Sequence, residues 1–229
     1  RPLAGIAILA LSHALLLIGT LVPNVQWFGP VITCFDTDKK EVWLTIDDGP
    51  SSDTTEILDV LAAHDANATF FVKGVDALRA PGRIEEIVSR GHTVANHSHT
   101  HPSGTFWCLP PSRIADEIDR CNRLLIELTT REQRWFRAPV GMKNPAVHPL
   151  LARRDMRLIG WSVRGLDALR DSPEEVARRI ADRVHPGAII VLHQGREWSA
   201  RTLGRVLDTL REKGYAFTVP SDDRLKTKR

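Results

Sequence analysis

The chain has 229 residues, of which 42% are hydrophobic, so it can bury the core of one domain of ordinary size but has no room for two large ones. Its formal net charge is only +3, and the Lys and Arg residues are interspersed with acids. This distribution gives no basic stripe of the kind that binds nucleic acid, and we expect no nucleic-acid partner.

An apolar stretch, LAGIAILALSHALLLIGTLV, occupies residues 3–22 and is long enough to cross a bilayer. A retained anchor, a cleaved signal peptide and a buried helix are the alternatives. The stretch is longer than the core of a signal peptide and continues into PNVQWFGP, which favours a transmembrane or signal-anchor segment at residues 1–24. The flanking charges of Arg1, Lys39 and Lys40 are too few to fix its orientation.

After a linker at residues 25–40, stretches typical of strands alternate with stretches typical of helices. Strands are predicted at residues 41–47, 68–73, 92–96, 135–138, 157–163, 188–193 and 216–219. Helices are predicted at residues 52–64, 83–90, 111–130, 144–155, 172–184 and 199–214, the fifth capped by Ser172. The alternation predicts a parallel sheet, open or closed into a barrel, with the active site at the carboxyl ends of its strands. Residues 221–229 are predicted to form a solvated, charged tail.

Three cysteines, Cys34, Cys108 and Cys121, cannot all pair with one another, and their spacing gives no thiolate zinc motif. Cys108 and Cys121 could form a disulfide in an oxidising compartment; two reduced thiols are the favoured alternative.

Acids, imidazoles and one guanidinium follow the predicted strands, in TIDDGP, NHSHTH, FRAPVG, WSVRGLD and VLHQG. Individually they have ordinary interpretations, since Asp48-Gly49 is a turn signal, Arg137 could form a structural ion pair and His193 could lie in the core. Their convergence at one rim predicts a hydrolytic site formed by Asp47, Asp48, His97, His101, Arg137, Asp167 and His193.

A cation is expected among these side chains, because two adjacent carboxylates such as Asp47 and Asp48 repel each other unless positive charge lies nearby. His97 and His101 are four residues apart, and on a helical turn both rings would face one side, as a zinc site requires. His99 lies between them and could replace either one as a metal ligand.

In this order the five motifs resemble those of the polysaccharide deacetylase family, the nodulation-type deacetylases grouped as family four carbohydrate esterases. The resemblance covers residues 42–219 and implies a distorted (β/α)7-type barrel of parallel strands, preceded here by the N-terminal apolar helix. It also implies metal-dependent removal of an N- or O-acetyl group from a sugar.

The resemblance further implies a role for each residue. Asp48, His97 and His101 would hold a divalent metal ion, for which we expect Zn²⁺, while His99 falls at a variable position. Asp47 would be the catalytic base, oriented by Arg137, and His193 would be the general acid with Asp167 as its partner. A backbone N–H near Val140, after Pro139, would stabilise the oxyanion.

The fourth motif departs from the family pattern, which opens with Asp and closes with Asp-Trp, whereas this chain has Arg164 and Asp167-Ala168. The missing Trp removes an apolar wall beside the acyl group. We therefore expect a larger or different acyl group to be accepted, unless Trp161 or Leu192 fills the gap.

The favoured function is removal of an N-acetyl or related acyl group from an amino sugar of a cell-envelope glycan. The enzyme would be a membrane-anchored monomer whose catalytic domain, residues 41–220, faces the periplasm or the exterior of a bacterial-type cell. One alternative is a deacylase or deformylase of a lipid-linked amino sugar. The other is a glycan-binding pseudoenzyme, which is disfavoured because every catalytic position holds a competent residue.

Overall fold

The structure is a computed structural model that describes residues 2–170 and 172–227. Its strands are β1 Cys34–Phe35, β2 Glu41–Gly49, β3 Ala68–Val72, β4 Thr93–Asn96, β5 Trp135–Phe136, β6 Arg157–Leu158, β7 Val163–Arg164, β8 Ala188–His193, β9 Ala216–Phe217 and β10 Leu225–Lys226. Its α-helices are α1 Pro2–Leu21, α2 Thr54–Ala63, α3 Gly74–Arg79, α4 Pro81–Ser89, α5 Pro111–Thr129, α6 Val147–Ala152, α7 Pro173–Ala181 and α8 Ser199–Glu212. Short 3₁₀ helices lie at Phe106–Cys108, Pro139–Gly141, Asp167–Leu169 and Asp222–Arg224.

Seven parallel strands form a curled sheet in the order β7-β8-β2-β3-β4-β5-β6, and helices pack on its outer face. Alternation along the central strand β2 sends Val42, Leu44 and Ile46 toward the helices and Trp43 into the barrel interior. Both faces of β2 are buried, which explains its nearly continuous apolar sequence. The predicted (β/α)7-type barrel is confirmed.

The strand predicted at residues 157–163 is two short strands, because its halves have different partners. In the first half, Ile32 donates its N–H to the Leu158 carbonyl at 2.9 Å, and Gly160 donates to the Ile32 carbonyl at 2.7 Å. In the second half, Ser162 donates to the Ile189 carbonyl at 3.0 Å and β7 pairs with β8. The segment around Ile32 therefore lies against β6.

Two unpredicted strands lie in the segments assigned to the linker and the tail. β1 pairs antiparallel with β10 and also with the first residue of β8. Phe35 and Leu225 are buried by this pairing. The prediction of a solvated tail is therefore wrong at Leu225, because a two-residue strand has too little sequence pattern to be recognised.

All six predicted helices are present, and the Ser172 hydroxyl caps α7 by accepting from the Glu175 N–H at 3.2 Å. Helix α3, six residues directly after β3, was not predicted. Cys108 is exposed and Cys121 is buried, and the structure joins neither in a disulfide.

Helix α1 extends away from the barrel. Its side chains from Ala4 to Ile18 are exposed, and only Gly19 and Thr20 in its last turn are buried. The alternative of a buried core helix is therefore wrong. Among the described residues, α1 is the helix that is long and apolar enough to cross a membrane.

Candidate active site

A bulge at the end of β2 brings two consecutive carboxylates to one cavity. Asp47 pairs with Phe71 and Gly49 pairs with Val72, which leaves Asp48 as the extra residue, with φ of 72°. In a regular strand, successive side chains face opposite sides, whereas a bulge redirects one of them. Asp47 and Asp48 consequently both line the cavity at the carboxyl ends of the strands.

The segment from His97 to His101 is a loop with left-handed residues, so the predicted helical turn is wrong. Ser98 has φ of 67° and His101 has φ of 54°. The Ser98 N–H donates to the Asn96 side chain at 2.7 Å, and the His101 N–H donates to the Ser98 hydroxyl at 3.1 Å. This folding of the loop brings the two imidazole rings to 4.6 Å between centroids.

A buried carboxylate on α5, Glu117, holds the same loop. Its Oε2 accepts from the N–H groups of His99 at 2.9 Å and Thr100 at 2.7 Å, and its Oε1 accepts from the Thr100 hydroxyl at 2.6 Å. The sequence analysis missed Glu117. Its position on the apolar face of α5, between Ile114 and Cys121, was the available signal, since a buried acid needs partners.

Asp48, His97 and His101 offer ligand atoms that all lie within 4.8 Å of one another. His101 Nε2 is 3.4 Å from Asp48 Oδ1, and His97 Nε2 is 3.9 Å from the same oxygen. The Nδ1–H of His97 donates to the Arg137 carbonyl at 2.8 Å, which directs its Nε2 into the site, as in many metal-bound histidines. His99 lies outside this group, with its Nδ1 beside Gly74.

The electrostatics of the three side chains also fit a metal ion. Burial lowers the pKa of His97, and burial together with His97 lowers the pKa of His101 to about 4. Burial would raise the pKa of Asp48, but the charges of His97, His101 and His193 lower it. Two neutral imidazoles and one carboxylate are a donor set typical of a divalent metal with open positions.

Arg137, which is fully buried, fixes the Asp47 carboxylate on one side of the ligand group. Its Nη1 donates to Asp47 Oδ1 at 2.6 Å and to the Thr45 hydroxyl at 2.7 Å. The other guanidinium nitrogens donate to the carbonyls of Ile159 and Gly160. Because its donors are directed by this fixed set of acceptors, Arg137 orients Asp47.

His193, the last residue of β8, lines the same cavity and is paired with Asp167. Asp167 accepts from the His193 backbone N–H at 2.7 Å, and its Oδ1 lies 3.1 Å from His193 Nδ1. Burial alone would lower the pKa of His193, but the hydrogen bond and charge of Asp167, with smaller effects of Asp47 and Asp48, raise it. The carboxylate partner thus holds the pKa of His193 above its ordinary value.

The cavity between these groups has a volume of about 520 Å³. Its apolar wall consists of Val140, Trp161, Leu166, Ala168, Leu169 and Val191. Pro139 is buried beside Val140. The prediction for Leu192 is wrong: it packs in the layer between the sheet and the helices, because alternation along β8 places Val191 and His193 on the inner face.

Comparisons with known proteins agree with this geometry. A family model described as polysaccharide deacetylase matches residues 35–159, more than half of the chain. The chain belongs to the polysaccharide deacetylase family. A chitooligosaccharide deacetylase of Bradyrhizobium sp. (strain ANU 289) is 31% identical over 192 residues, which are 77% of this chain and 87% of that protein.

Solved structures of this family have the same fold. A family 4 carbohydrate esterase from Streptomyces lividans, in complex with acetate, is 28% identical, with a TM-score of 0.75 over 81% of this chain and 96% of that one. A CE4 family pseudoenzyme from Bacillus anthracis is 30% identical, with a TM-score of 0.74 over 81% of this chain and 65% of that one. The chain is thus a hydrolase of the carbohydrate deacetylase class, in a family that is metal-dependent.

Proposed function

We propose that the chain removes an N-acetyl or related acyl group from an amino sugar of a cell-envelope glycan, using a divalent metal ion, preferably Zn²⁺. The observation that carries the proposal is the placement of the Asp48–His97–His101 group between the Asp47–Arg137 pair and the His193–Asp167 pair. All three groups line one cavity that opens at the carboxyl ends of the strands.

In this proposal Asp48, His97 and His101 hold the metal ion, which when bound lowers the pKa of a water molecule and polarises the acyl carbonyl. The Asp47 carboxylate accepts the proton of the attacking water, and Arg137 keeps that carboxylate aimed at it. The backbone N–H of Val140 stabilises the oxyanion. His193 then protonates the departing amine, while Asp167 stabilises the imidazolium.

Every proposed catalytic position holds a competent side chain, which supports an enzyme over a glycan-binding pseudoenzyme. Relatives support a surface glycan as substrate, since one of them, 30% identical over 79% of this chain, is a peptidoglycan N-acetylglucosamine deacetylase of Listeria monocytogenes. This chain spans 38% of that relative. We propose a monomer anchored through α1, with its catalytic domain facing the periplasm or the exterior.

A second candidate substrate is an acylated amino sugar on a lipid phosphate. A second pocket, of about 490 Å³, shares Asp48 with the catalytic cavity. Four cationic side chains and two carboxylates line it: Lys73, Arg79, Arg83 and Arg196 with Asp48 and Asp76. Asp76 pairs with Lys73 at 2.9 Å and with Arg79 at 3.1 Å, so the lining keeps a net positive charge that is largest at Arg83 and Arg196. An anionic phosphate next to the sugar would complement these charges.

The first prediction is that Asp47→Asn lowers turnover roughly a hundredfold to ten-thousandfold while zinc stays bound, because it removes a proton acceptor and not a ligand. The measurement is acetate and formate release from N-acylated oligosaccharides and from a phosphate-linked amino-sugar lipid, with zinc content determined in parallel. His99→Ala is the matched control and should retain zinc. Loss of zinc in Asp47→Asn would make Asp47 a ligand, and loss in His99→Ala would show that the wrong histidine pair is assigned.

A further inference from the structure

A buried lysine joins the end of the apolar helix to the catalytic domain. Lys143 is fully buried, and its Nζ donates to the carbonyls of Val22 at 3.1 Å and Pro23 at 2.7 Å. Its backbone N–H donates to the Thr20 carbonyl at 3.1 Å. The carboxyl end of a helix has partial negative charge, so an ammonium group is a favourable partner there.

The same junction contacts the wall of the catalytic cavity. Gly141, which lines the cavity, packs so closely against Pro23 and Trp161 that an added Cβ would lie 2.6 Å from Pro23 Cβ. The Asn24 side chain donates to the Trp161 carbonyl at 2.7 Å. The helix end is therefore attached directly to the loop and the tryptophan that form one side of the cavity.

The buried ammonium group holds the residues that directly follow α1 in place. A buried charge that loses its partners costs several kcal/mol. Both hydrogen bonds that the structure describes for Lys143 Nζ end on the residues directly after α1. The two hydrogen bonds therefore attach residues 22 and 23, and with them the end of α1, to the catalytic domain.

The short stretch of chain between the apolar helix and the cavity wall limits how far the cavity can lie from the membrane. The apolar segment Ala4–Leu21 is about 27 Å long as a helix, close to the hydrocarbon thickness of a bilayer of about 30 Å. Pro23 lies two residues beyond Leu21, at most about 7 Å away. The polar headgroup layer on each side is about 5 to 8 Å thick.

We propose that Lys143 fixes α1 to the loop that walls the catalytic cavity, so that the cavity opens at the headgroup level of a lipid bilayer and takes its acylated amino sugar from the membrane surface. The height of the cavity above the bilayer can be tested without any catalytic activity. The choice of substrate rests on the proposed function and narrows it to sugars carried on membrane lipids.

The first arm of the test measures depth without activity. The full chain, with Cys34 and Cys108 replaced by Ser, is placed in phosphatidylcholine–phosphatidylglycerol vesicles with a fluorophore on Val140→Cys, at the cavity, or on Lys39→Cys, at the opposite end of the barrel. A nitroxide on the lipid headgroup quenches nearby fluorophores. We expect at least threefold stronger quenching at position 140, and equal quenching at both positions would overturn the proposal.

The second arm removes the attachment. Lys143→Met should weaken quenching at position 140 and leave quenching at position 39 unchanged, with both labelled proteins still bound to vesicles; unchanged quenching at position 140 would contradict the role of Lys143. Lys40→Met is the matched control, because the Lys40 ammonium donates at 3.0 Å to the carbonyl of Lys213, the residue directly after α8, and so makes the same kind of contact at a different helix. If Lys143→Met fails to fold, the comparison of positions 140 and 39 with Lys143 intact still decides the question.

The third arm measures kcat/KM in vesicles for a lipid-linked and for a short soluble N-acetylated amino sugar. Lys143→Met should lower the value for the lipid-linked sugar about tenfold to a hundredfold through loss of orientation, and leave the value for the soluble sugar unchanged. An equal decrease for both sugars would contradict the proposal. Absence of turnover of every sugar would instead overturn the proposed function and leave the depth measurement valid.

Discussion

Glu117 holds the middle of the loop between the two proposed metal-binding histidines. Its carboxylate accepts three hydrogen bonds from His99 and Thr100, in the middle of the loop that connects His97 and His101. Such a loop, which has residues in the left-handed region, has little intrinsic preference for its conformation. Glu117 is therefore a positioning residue for the metal site.

Glu117→Gln should weaken zinc binding by about ten- to a hundredfold, the usual effect of losing an outer partner of metal ligands. The amide has one oxygen acceptor, whereas the carboxylate uses two oxygens for three donors. The measurement is a competition titration with a zinc chelator, which reports on ligand geometry in a way that a melting temperature does not. Glu127→Gln, an exposed change on the same helix, is the control. Equal affinities in the two variants would exclude the positioning role.

Ala168 determines the apolar wall where the family motif has Trp. It lines the cavity with Leu166 and Trp161. We propose that the missing indole leaves space for acyl groups larger than acetyl. Ala168→Trp should therefore depress kcat/KM for propionyl and butyryl amides more than for formyl and acetyl amides of one amino sugar. An apolar pocket can discriminate against one extra methylene by only about 1 to 3 kcal/mol. The wild-type enzyme should therefore still accept the longer acyl groups. A parallel decline of both proteins along the series would show that position 168 does not face the acyl group.

At the level of elements, strand alternation explains which side chains could be placed in the site from the sequence. His193 and Val191 share one face of β8, and the same rule would have excluded Leu192. The order of strands and helices along the chain predicts the parallel barrel and the edge that holds the site, because both follow from connection rules. The faces of the strands and the order of the elements could therefore be predicted from the local sequence pattern.

The bulge at Asp48 and the loop at His97–His101 could not be predicted in this way. The loop depends on hydrogen bonds to a distant residue, Glu117, and the residue types do not reveal the positive φ values of Ser98 and His101. The Asp48-Gly49 turn signal marked the position of the bulge but did not distinguish a bulge from an ordinary turn. The resemblance to a family supplied the residue identities at these positions but not their geometry. Short strands such as β1 and β10 escape prediction because their stability comes from pairing across the whole chain.

At the scale of the whole molecule, the segments flanking the predicted catalytic domain complete the barrel. Ile32 joins β6, and the following strand β1 joins β8 and β10. One continuous segment thus connects the end of α1 to three parts of the sheet. Helix α1, the wall of the cavity and the sheet are consequently mechanically coupled.

Two histidines outside the site, the buried His92 and the half-buried His148, should make the fold sensitive to acid. Burial, with a smaller effect of Arg90, lowers the pKa of His92 to about 4, and burial with the charge of Lys143 does the same for His148. The ordinary pKa of an unfolded His is about 6.5, so between pH 6.5 and pH 4 the unfolded chain binds more protons than the folded one. The stability contributed by these neutral imidazoles is complete above pH 6.5 and is lost as pH falls toward 4.

His92→Gln should make this loss smaller. The neutral His92 ring lies beside the Phe70 ring, at 5.7 Å between centroids, and its Nδ1 faces the Ala68 N–H at 3.4 Å, a contact that glutamine can replace without gaining a proton. We expect the decrease in the free energy of unfolding between pH 7 and pH 4.5 to shrink by on the order of 1 to 2 kcal/mol, less than the full pKa difference would give because solvent and structural relaxation screen the charge. The measurement is urea unfolding of the full chain in detergent micelles, followed by tryptophan fluorescence at both pH values. If wild type and His92→Gln lose the same free energy on acidification, His92 already takes up its proton in the folded state and burial does not keep it neutral.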